Sequence, residues 1–183
     1  IIPVNHFKNE LSHEDFIKLI KMISDCDNEN DNENDKNKDN ENGYINKLNI
    51  KEKKKISCMY KSIKERQNEY DKKQYKNLLI EHKFTIEEAN FYVKYFNVKP
   101  IIDFDTQYLY KLCENNTICN ITNAKIIWEP HKLNVGSIDR IDSKKGYSKD
   151  NIQVTLWYVN CMKKQMTDEI TKDLLKMIID FNK

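Results

Sequence analysis

The chain has 183 residues, of which 39% are hydrophobic and 33% are charged, and its formal net charge is +2 at pH 7. This length is enough for one or two domains with a buried core. No apolar run reaches the roughly 18 residues of a membrane span, and no secretory signal is visible at the start. We therefore expect an intracellular protein without a membrane partner.

The first predicted element is a short helical segment in residues 1–24, where Ser12 and Asp15 form a weak cap before an apolar face. Residues 25–43 are rich in Asn, Asp and Glu, and Cys26 is the only side chain there that favours burial before Gly43. Such a segment cannot offset its ordering entropy by burial. We predict a disordered linker over this range.

The charge is divided unevenly along the chain. Residues 25–42 contain eight acidic residues and two lysines, so they carry a net charge of −6 and leave +8 on the remainder. A basic folded part favours a polyanionic partner such as nucleic acid. A solvated lysine surface is the alternative interpretation.

Residues 44–112 form a predicted basic helical region. Thr85 and Glu88 have the spacing of a capping box that opens a helix through Tyr95, and a further short helix is predicted over 104–112. The long basic segment before them contains Arg66, which we interpret as a nucleic-acid contact. A plain amphipathic helix with a solvated face would give the same pattern.

Residues 113–183 have a different pattern. The segments AKIIW, SIDRI and the start of NIQVTLWYV have the apolar and β-branched content of short strands. A closing helix is predicted over 167–181, with Thr167 as its cap. The fold class predicted for the whole chain is therefore α+β.

The five cysteines indicate reduced thiols, because their number is odd and no C-x-x-C pair occurs. Cys113 and Cys119 could supply two zinc ligands, but a closed zinc site needs two more. We expect ordinary thiols at both positions.

The segment from 132 to 164 carries the residue types that phosphodiester hydrolysis requires. It has seven basic and three acidic residues. A divalent cation needs hard oxygen ligands, and cationic side chains must hold the phosphate backbone. The candidate oxygen ligands are Asp139, Asp142, Asn151 and Asn160, and the candidate cations are Arg140, Lys144, Lys145, Lys149 and Lys163.

Three short elements of this region carry a resemblance. The first runs from Cys119 to Asn123, the second is Ser-Ile-Asp-Arg-Ile-Asp-Ser-Lys-Lys-Gly-Tyr from Ser137 followed by Asn151, and the third is Asn-Cys-Met-Lys from Asn160. Together they resemble a phage and large-DNA-virus variant of the HNH, or ββα-metal, endonuclease superfamily. That variant has C-x-x-T-G, S-[IL]-D-R-I-D-x-x-K-G-Y-x-x-x-N and N-x-x-K. The chain departs from it at Asn123, where the pattern has glycine.

The resemblance implies a ββα-metal module over residues 113–183 and a role for each matching residue. Asp139 and Asn160 match the ligands of one divalent cation, Mg²⁺ or Mn²⁺. Asn151 matches the asparagine that fixes the loop and orients the base. Zinc-stabilised members carry a second cysteine pair where this chain has Leu156 and Val159, so we expect no structural zinc. No small-molecule cofactor is implied either.

Arg140 occupies the position at which the superfamily usually has its general-base histidine. A guanidinium has no acceptor and stays protonated, so Arg140 cannot activate water, but it can hold a phosphate with two hydrogen bonds. The base would then be Asp142, His131 or a metal-bound hydroxide. We also expect Gly136 and Gly146 to permit turns at the two ends of the strand and its loop.

Two functions follow from this pattern. The first is a metal-dependent endonuclease, virus-encoded or of the homing type, that acts on DNA, with RNA as the alternative substrate. The second is a catalytically inactive HNH-derived module that binds nucleic acid, for example in a ribonucleoprotein particle. The missing histidine favours the second hypothesis. The metal ligands favour the first, because a protein that only binds does not need them.

Overall fold

A computed structural model describes residues 11–30, 47–95 and 102–182. This part of the chain is α+β, as expected, and mostly helical with one two-stranded antiparallel sheet. Over those ranges, no helix combines the length and apolar character needed to cross a bilayer. The elements in chain order are α1 His13–Asn30, α2 Ile50–Glu81, α3 Ile86–Tyr95, α4 Thr106–Asn115, β1 Gly136–Arg140, β2 Ile152–Leu156, α5 Trp157–Lys163 and α6 Asp168–Phe181.

Three helices begin at the caps that the sequence predicts. The Ser12 hydroxyl accepts from the backbone N–H of Asp15 before α1. Before α3, Thr85 and Glu88 form the reciprocal bonds of a capping box. Thr167 caps α6 by accepting from a backbone N–H at 3.3 Å. Each bond satisfies a donor that a helix start would otherwise leave unpaired.

Helix α1 is longer than expected. It continues to Asn30, six residues into the predicted linker, so residues 25–30 are helical and that part of the prediction is wrong. Each residue added to an existing helix gains a backbone hydrogen bond without a new nucleation cost, and Cys26 packs against the core. Residues 31–43 of the predicted linker lie outside the described residues.

Helix α2 is the long basic helix, and it begins at a capping box formed by Asn49 and Glu52. Its buried face includes Ile56, Ile63 and Gln67. Helices α3 and α4 pack on it. Helix α4 begins two residues later than expected. Asp105 is its N-cap, and the Asp105 carboxylate accepts from the backbone N–H of Tyr108 at 2.8 Å.

The sheet is a β-hairpin in which Gly136 pairs with Leu156 and Arg140 pairs with Ile152. Every residue of β2 is buried. Helix α5 follows β2 directly and packs against both strands, and α6 packs on α5 and α1. The hairpin thus lies inside the protein with a helix along one face, and its loop, residues 141–151, connects the strand ends.

The segment AKIIW is not a strand of this sheet, which corrects the expectation from its composition. It makes two isolated bridges, Ile118 with Lys125 and Ile127 with Val135. The chain turns after Cys119 instead, and the Cys119 sulfur accepts a hydrogen bond from the backbone N–H of Leu156 at 3.4 Å. The segment therefore packs against the hairpin without extending it.

Gly136 and Gly146 are needed because a side chain at either position would collide with a neighbouring segment, and not because a turn requires glycine. Neither has a positive φ. A Cβ atom at Gly136 would lie 2.7 Å from side-chain atoms of Ile126 and Trp128. At Gly146 it would lie 2.7 Å from the side-chain amide of Gln67 on α2. The prediction that these glycines permit turns is wrong, because both mark close approaches between segments.

Candidate active site

Asn151 fixes the loop between the two strands. Its buried side chain accepts from the backbone N–H of Asp142 at 2.9 Å and donates to the carbonyl oxygens of Asp142 and Gly146 at 3.1 and 2.8 Å. Three hydrogen bonds from one amide satisfy backbone groups that have no strand partner there. Asn151 therefore fixes the loop between β1 and β2.

Asp142 holds the turn that follows β1. Its Oδ1 accepts from the backbone N–H of Lys144 at 2.9 Å, and its Oδ2 lies 3.9 Å from the Lys145 ammonium. Bonds from an aspartate to the backbone two residues later are typical of turns. The structure therefore gives Asp142 a structural task in the loop.

Asp139 lies in β1 with its side chain 7% exposed, and it does not stand alone. Its Oδ2 accepts from the Lys163 ammonium at 2.7 Å and from the Gln153 amide at 3.1 Å. The same ammonium lies 2.9 Å from Oδ1 of Asp168, to which Gln153 also donates. Two carboxylates, one ammonium and one amide thus form a single network.

Lys163 is fully buried, which corrects its expected place among the surface cations that bind nucleic acid. Its ammonium also donates to the carbonyl oxygens of Arg140 and Ile141, at 2.7 and 3.1 Å. Burial by itself lowers the pKa of Lys163, but the hydrogen bonds and charges of Asp139 and Asp168 outweigh burial, and the pKa is raised. The side chain stays charged inside the protein.

Asn160 lies on α5, one turn before Lys163, and its amide nitrogen faces β1. It donates to the hydroxyl of Ser137 at 2.9 Å and to the carbonyl oxygen of Ile138 at 3.2 Å. The helix therefore contacts the strand immediately before Asp139. Asp139 and Asn160 lie on neighbouring parts of one helix–strand contact, without a hydrogen bond between them.

A divalent cation at this helix–strand contact would have few protein ligands. The hydrogen bonds of Asp139 use Oδ2, and those of Asn160 use its nitrogen, so one oxygen of each is outside these contacts. Mg²⁺ usually keeps several waters and takes one or two protein ligands. Among the described residues, no group of three or more His, Cys, Asp or Glu side chains could hold a metal ion alone. Asp139 and Asn160 would be its protein ligands.

Arg140 and Arg66 converge on one aromatic ring. The guanidinium carbon of Arg140 lies 5.0 Å from the centroid of Tyr147, and that of Arg66 lies 5.3 Å from it. These are the two arginines of the chain, one from β1 and one from α2. A planar guanidinium stacks well on an aromatic ring and leaves its edge available for hydrogen bonds. The structure thus brings together two site residues that are 74 positions apart in sequence.

The loop lysines lie at the surface, as expected for groups that contact a polyanion. Lys144, Lys145 and Lys149 are exposed. The Lys149 ammonium lies 5.3 Å from the Tyr108 ring, and its backbone N–H donates to the Asp103 carboxylate. All three lie on the loop of residues 141–151, which follows Arg140 at the end of β1.

His131 lies in an exposed turn with a φ of 64°. Within the described part of the chain, His131 makes no hydrogen bond or ion pair with Asp139 or Arg140, so the structure does not bring this candidate base to the other site residues. The Cys119 turn ends with Asn123 at a φ of 56°. That left-handed conformation favours glycine and tolerates asparagine, which explains the one departure from the first motif element.

The site contains residues that the sequence analysis missed. Gln153 donates to the carboxylates of Asp139 and Asp168, and Asp168 pairs with Lys163. The ring of Tyr147 contacts both arginines. Helical spacing could have revealed part of this arrangement. Lys163 follows Asn160 by three residues, so both face the same strand, and a lysine directed at a strand face needs a carboxylate partner.

Comparisons with family models, with curated proteins and with solved structures found no match to this chain.

Proposed function

We propose that this chain is a metal-dependent endonuclease that hydrolyses phosphodiester bonds in DNA. The observation that carries the proposal is the convergence of Arg66 and Arg140 on Tyr147 at the end of β1, the strand that bears Asp139. Two arginines beside an acidic residue and an asparagine are the groups that suit a metal-bridged polyanion.

The two arginines form the phosphate contact in this proposal. Each guanidinium has five N–H donors. Arg140 uses Nη1 for the carbonyl of Lys145, and Arg66 uses Nε for the carbonyl of Ser62. The two groups lie roughly 10 Å apart at most, because each is about 5 Å from the same ring. One phosphate or two adjacent phosphates of a strand fit that spacing.

The remaining roles follow from the chemistry of the side chains. When bound by Asp139 and Asn160, a divalent cation would polarise the phosphate and stabilise the leaving oxygen. Arg140 keeps its proton, so it neutralises charge that develops on the phosphate and takes no part as a base. The Arg140 guanidinium is held by its bond to the Lys145 carbonyl and by the Tyr147 ring.

A nucleic-acid-binding module that does not cleave is the second candidate function. The Lys163–Asp139 ion pair favours it, because the carboxylate is already neutralised and buried. The phosphate contact by the two arginines is common to both candidates.

Cleavage of supercoiled plasmid DNA, with structured RNA in parallel, tests the proposal. We expect nicking with Mg²⁺ or Mn²⁺ and none with EDTA. Arg140→Lys keeps the charge but loses the planar fork, so its rate should fall about a hundredfold. Asp150→Asn, an exposed carboxylate of the same loop, is the matched control and should cut at the parental rate.

A parent protein that binds DNA but leaves it intact with both metals would exclude the enzyme and favour the binding module. Equal rates for Arg140→Lys and the parent would show that the planar guanidinium of Arg140 does not contact the reacting phosphate. If the protein cleaved RNA and not DNA, the substrate in the proposal would be RNA, and the proposed reaction, phosphodiester hydrolysis, would stand.

A further inference from the structure

The surroundings of the Lys163 ammonium are those of a bound cation. Four oxygen atoms lie within 3.1 Å of it: carboxylate oxygens of Asp139 and Asp168, and the carbonyl oxygens of Arg140 and Ile141. Carboxylate and carbonyl oxygens are the ligands that hard metal ions take in proteins. Here a tethered ammonium with no solvent exposure fills that position.

The network contains the partners that a buried charge requires. Gln153 donates to both carboxylates that Lys163 contacts. A buried charge is tolerated when it is paired and its remaining hydrogen bonds are satisfied. Removing the ammonium would leave Asp139 and Asp168 beside each other with Gln153 as their shared donor.

We propose that Lys163 is a built-in cation, which holds Asp139 and the end of β1 in place without a metal ion and lets the protein bind nucleic acid in the absence of divalent cations. This inference rests on the proposed function, because it concerns the same loop and the same polyanion. On this inference, nucleic-acid binding needs no metal ion, whereas cleavage does.

Two consequences of the contacts support this role. The ammonium neutralises a carboxylate next to Arg140, so an approaching phosphate does not meet an uncompensated negative charge there. It also holds the carbonyls of Arg140 and Ile141, which fixes the backbone that carries the Arg140 side chain. Lys163 is therefore a positioning residue for the phosphate contact, and it does not touch the phosphate.

The test measures DNA binding by fluorescence anisotropy of a labelled duplex, in EDTA and in Mg²⁺ at matched ionic strength. The parent affinity should change less than about threefold between the two buffers. Lys163→Met should bind roughly tenfold or more weakly in EDTA and recover part of that loss in Mg²⁺ or Mn²⁺. Lys164→Met, an exposed lysine at the next position, should behave like the parent.

Thermal melting provides a readout that does not depend on DNA. The parent should melt within about 3 °C in EDTA and in Mg²⁺, because a weakly held cation adds little to a network that Lys163 already completes, and Lys163→Met should melt lower by on the order of 10 °C. The triple variant Lys163→Met, Asp139→Asn, Asp168→Asn removes the charges together. It should recover most of the lost melting temperature, but its DNA binding in EDTA should stay weaker than that of the parent, because the carbonyls of Arg140 and Ile141 have lost their donor.

The inference would be overturned if the parent melted on the order of 10 °C lower in EDTA than in Mg²⁺. It would also be overturned if the parent bound DNA only in the presence of Mg²⁺. A Lys163→Met variant as stable as Lys164→Met would overturn it as well. A parent that binds no nucleic acid in either buffer would overturn the proposed function and the binding part of this inference. The melting data would then decide separately whether Lys163 serves as the cation of the site.

Discussion

Lys163, which is buried, and Lys55, which is half-buried, have opposite surroundings. Lys163 reaches two carboxylates, and its pKa is raised. The ammonium of Lys55 on α2 donates to the carbonyl oxygen of Gly136 at 3.3 Å, and partial burial lowers its pKa to about 8, against an opposing effect of Cys113. A buried ammonium is stable only where carboxylates replace the water that it has lost.

Lys55 therefore provides a prediction on pH and stability. Below about pH 8 this lysine is charged in the folded and the unfolded state, and the folded state bears the cost of burying the charge. Between about pH 8 and the roughly 10.4 of an unfolded lysine, the folded protein releases the proton first, so its free energy of unfolding rises with pH. Lys55→Met removes this effect and should stabilise the protein below about pH 8.

Urea denaturation of the parent and of Lys55→Met on either side of this pH range checks the prediction. The advantage of the variant should shrink as the pH approaches about 10. Lys54→Met, at an exposed neighbouring position, is the control and should show no such change. An advantage that stays constant with pH would mean that Lys55 is not buried as a charged group.

At the scale of elements, α2 holds the hairpin loop. The Gln67 side chain accepts from the backbone N–H of Tyr147, and the Tyr70 hydroxyl donates to the carbonyl of Lys144. The close approach of Gly146 to the Gln67 amide makes this contact possible. The helix and the loop thus act as one unit, and the alignment of Arg66 with Arg140 depends on it.

Gly146→Ala should separate these two elements. The added Cβ would lie 2.7 Å from Gln67, which must shift and lose its bond to Tyr147, so we expect a loss of about 1–3 kcal/mol in unfolding free energy. Gln67→Ala should cost a similar amount. Because both changes disrupt one contact, the double variant should lose less than the two single losses combined. Additive losses in urea denaturation would contradict the packing.

The same contact shows what could and could not be predicted from the sequence. Local signals predicted the helix starts at Ser12, Thr85 and Thr167 and the two strands of the hairpin, because caps and β-branched runs act over a few residues. The isolated bridges of AKIIW and the burial of Lys163 depend on packing between distant segments. The space that Gly146 leaves for Gln67 comes from α2, almost eighty residues earlier, so no local pattern contains it.

At the scale of the whole molecule, positive charge outside residues 25–42 is the dominant electrostatic feature, with a net of +8. Lys144 and Lys145 are exposed on the loop, whereas Lys163 is buried and paired. Only exposed cations displace condensed counterions from nucleic acid. The salt dependence of binding should therefore come from the loop and from the surface of α2, without a contribution from Lys163.

The slope of log affinity against log salt concentration measures this contribution. Lys144→Ala with Lys145→Ala should make the slope shallower by about 1–2, since each phosphate contact contributes roughly 0.9. Lys172→Ala with Lys176→Ala changes the net charge equally on α6, at exposed positions, and should leave the slope unchanged. Equal changes for both pairs would mean that binding follows net charge and not the loop.

The length of α2 has a consequence for the reach of the protein along a duplex. Its 32 residues extend about 48 Å at about 1.5 Å per residue, which equals the rise of roughly fourteen base pairs at about 3.4 Å each. The hairpin contacts α2 near the middle of the helix, at Arg66, Gln67 and Tyr70. If the two arginines hold the scissile phosphate as proposed, a strand lying along α2 would be covered on both sides of that phosphate, and the protected footprint would be close to centred on the scissile bond.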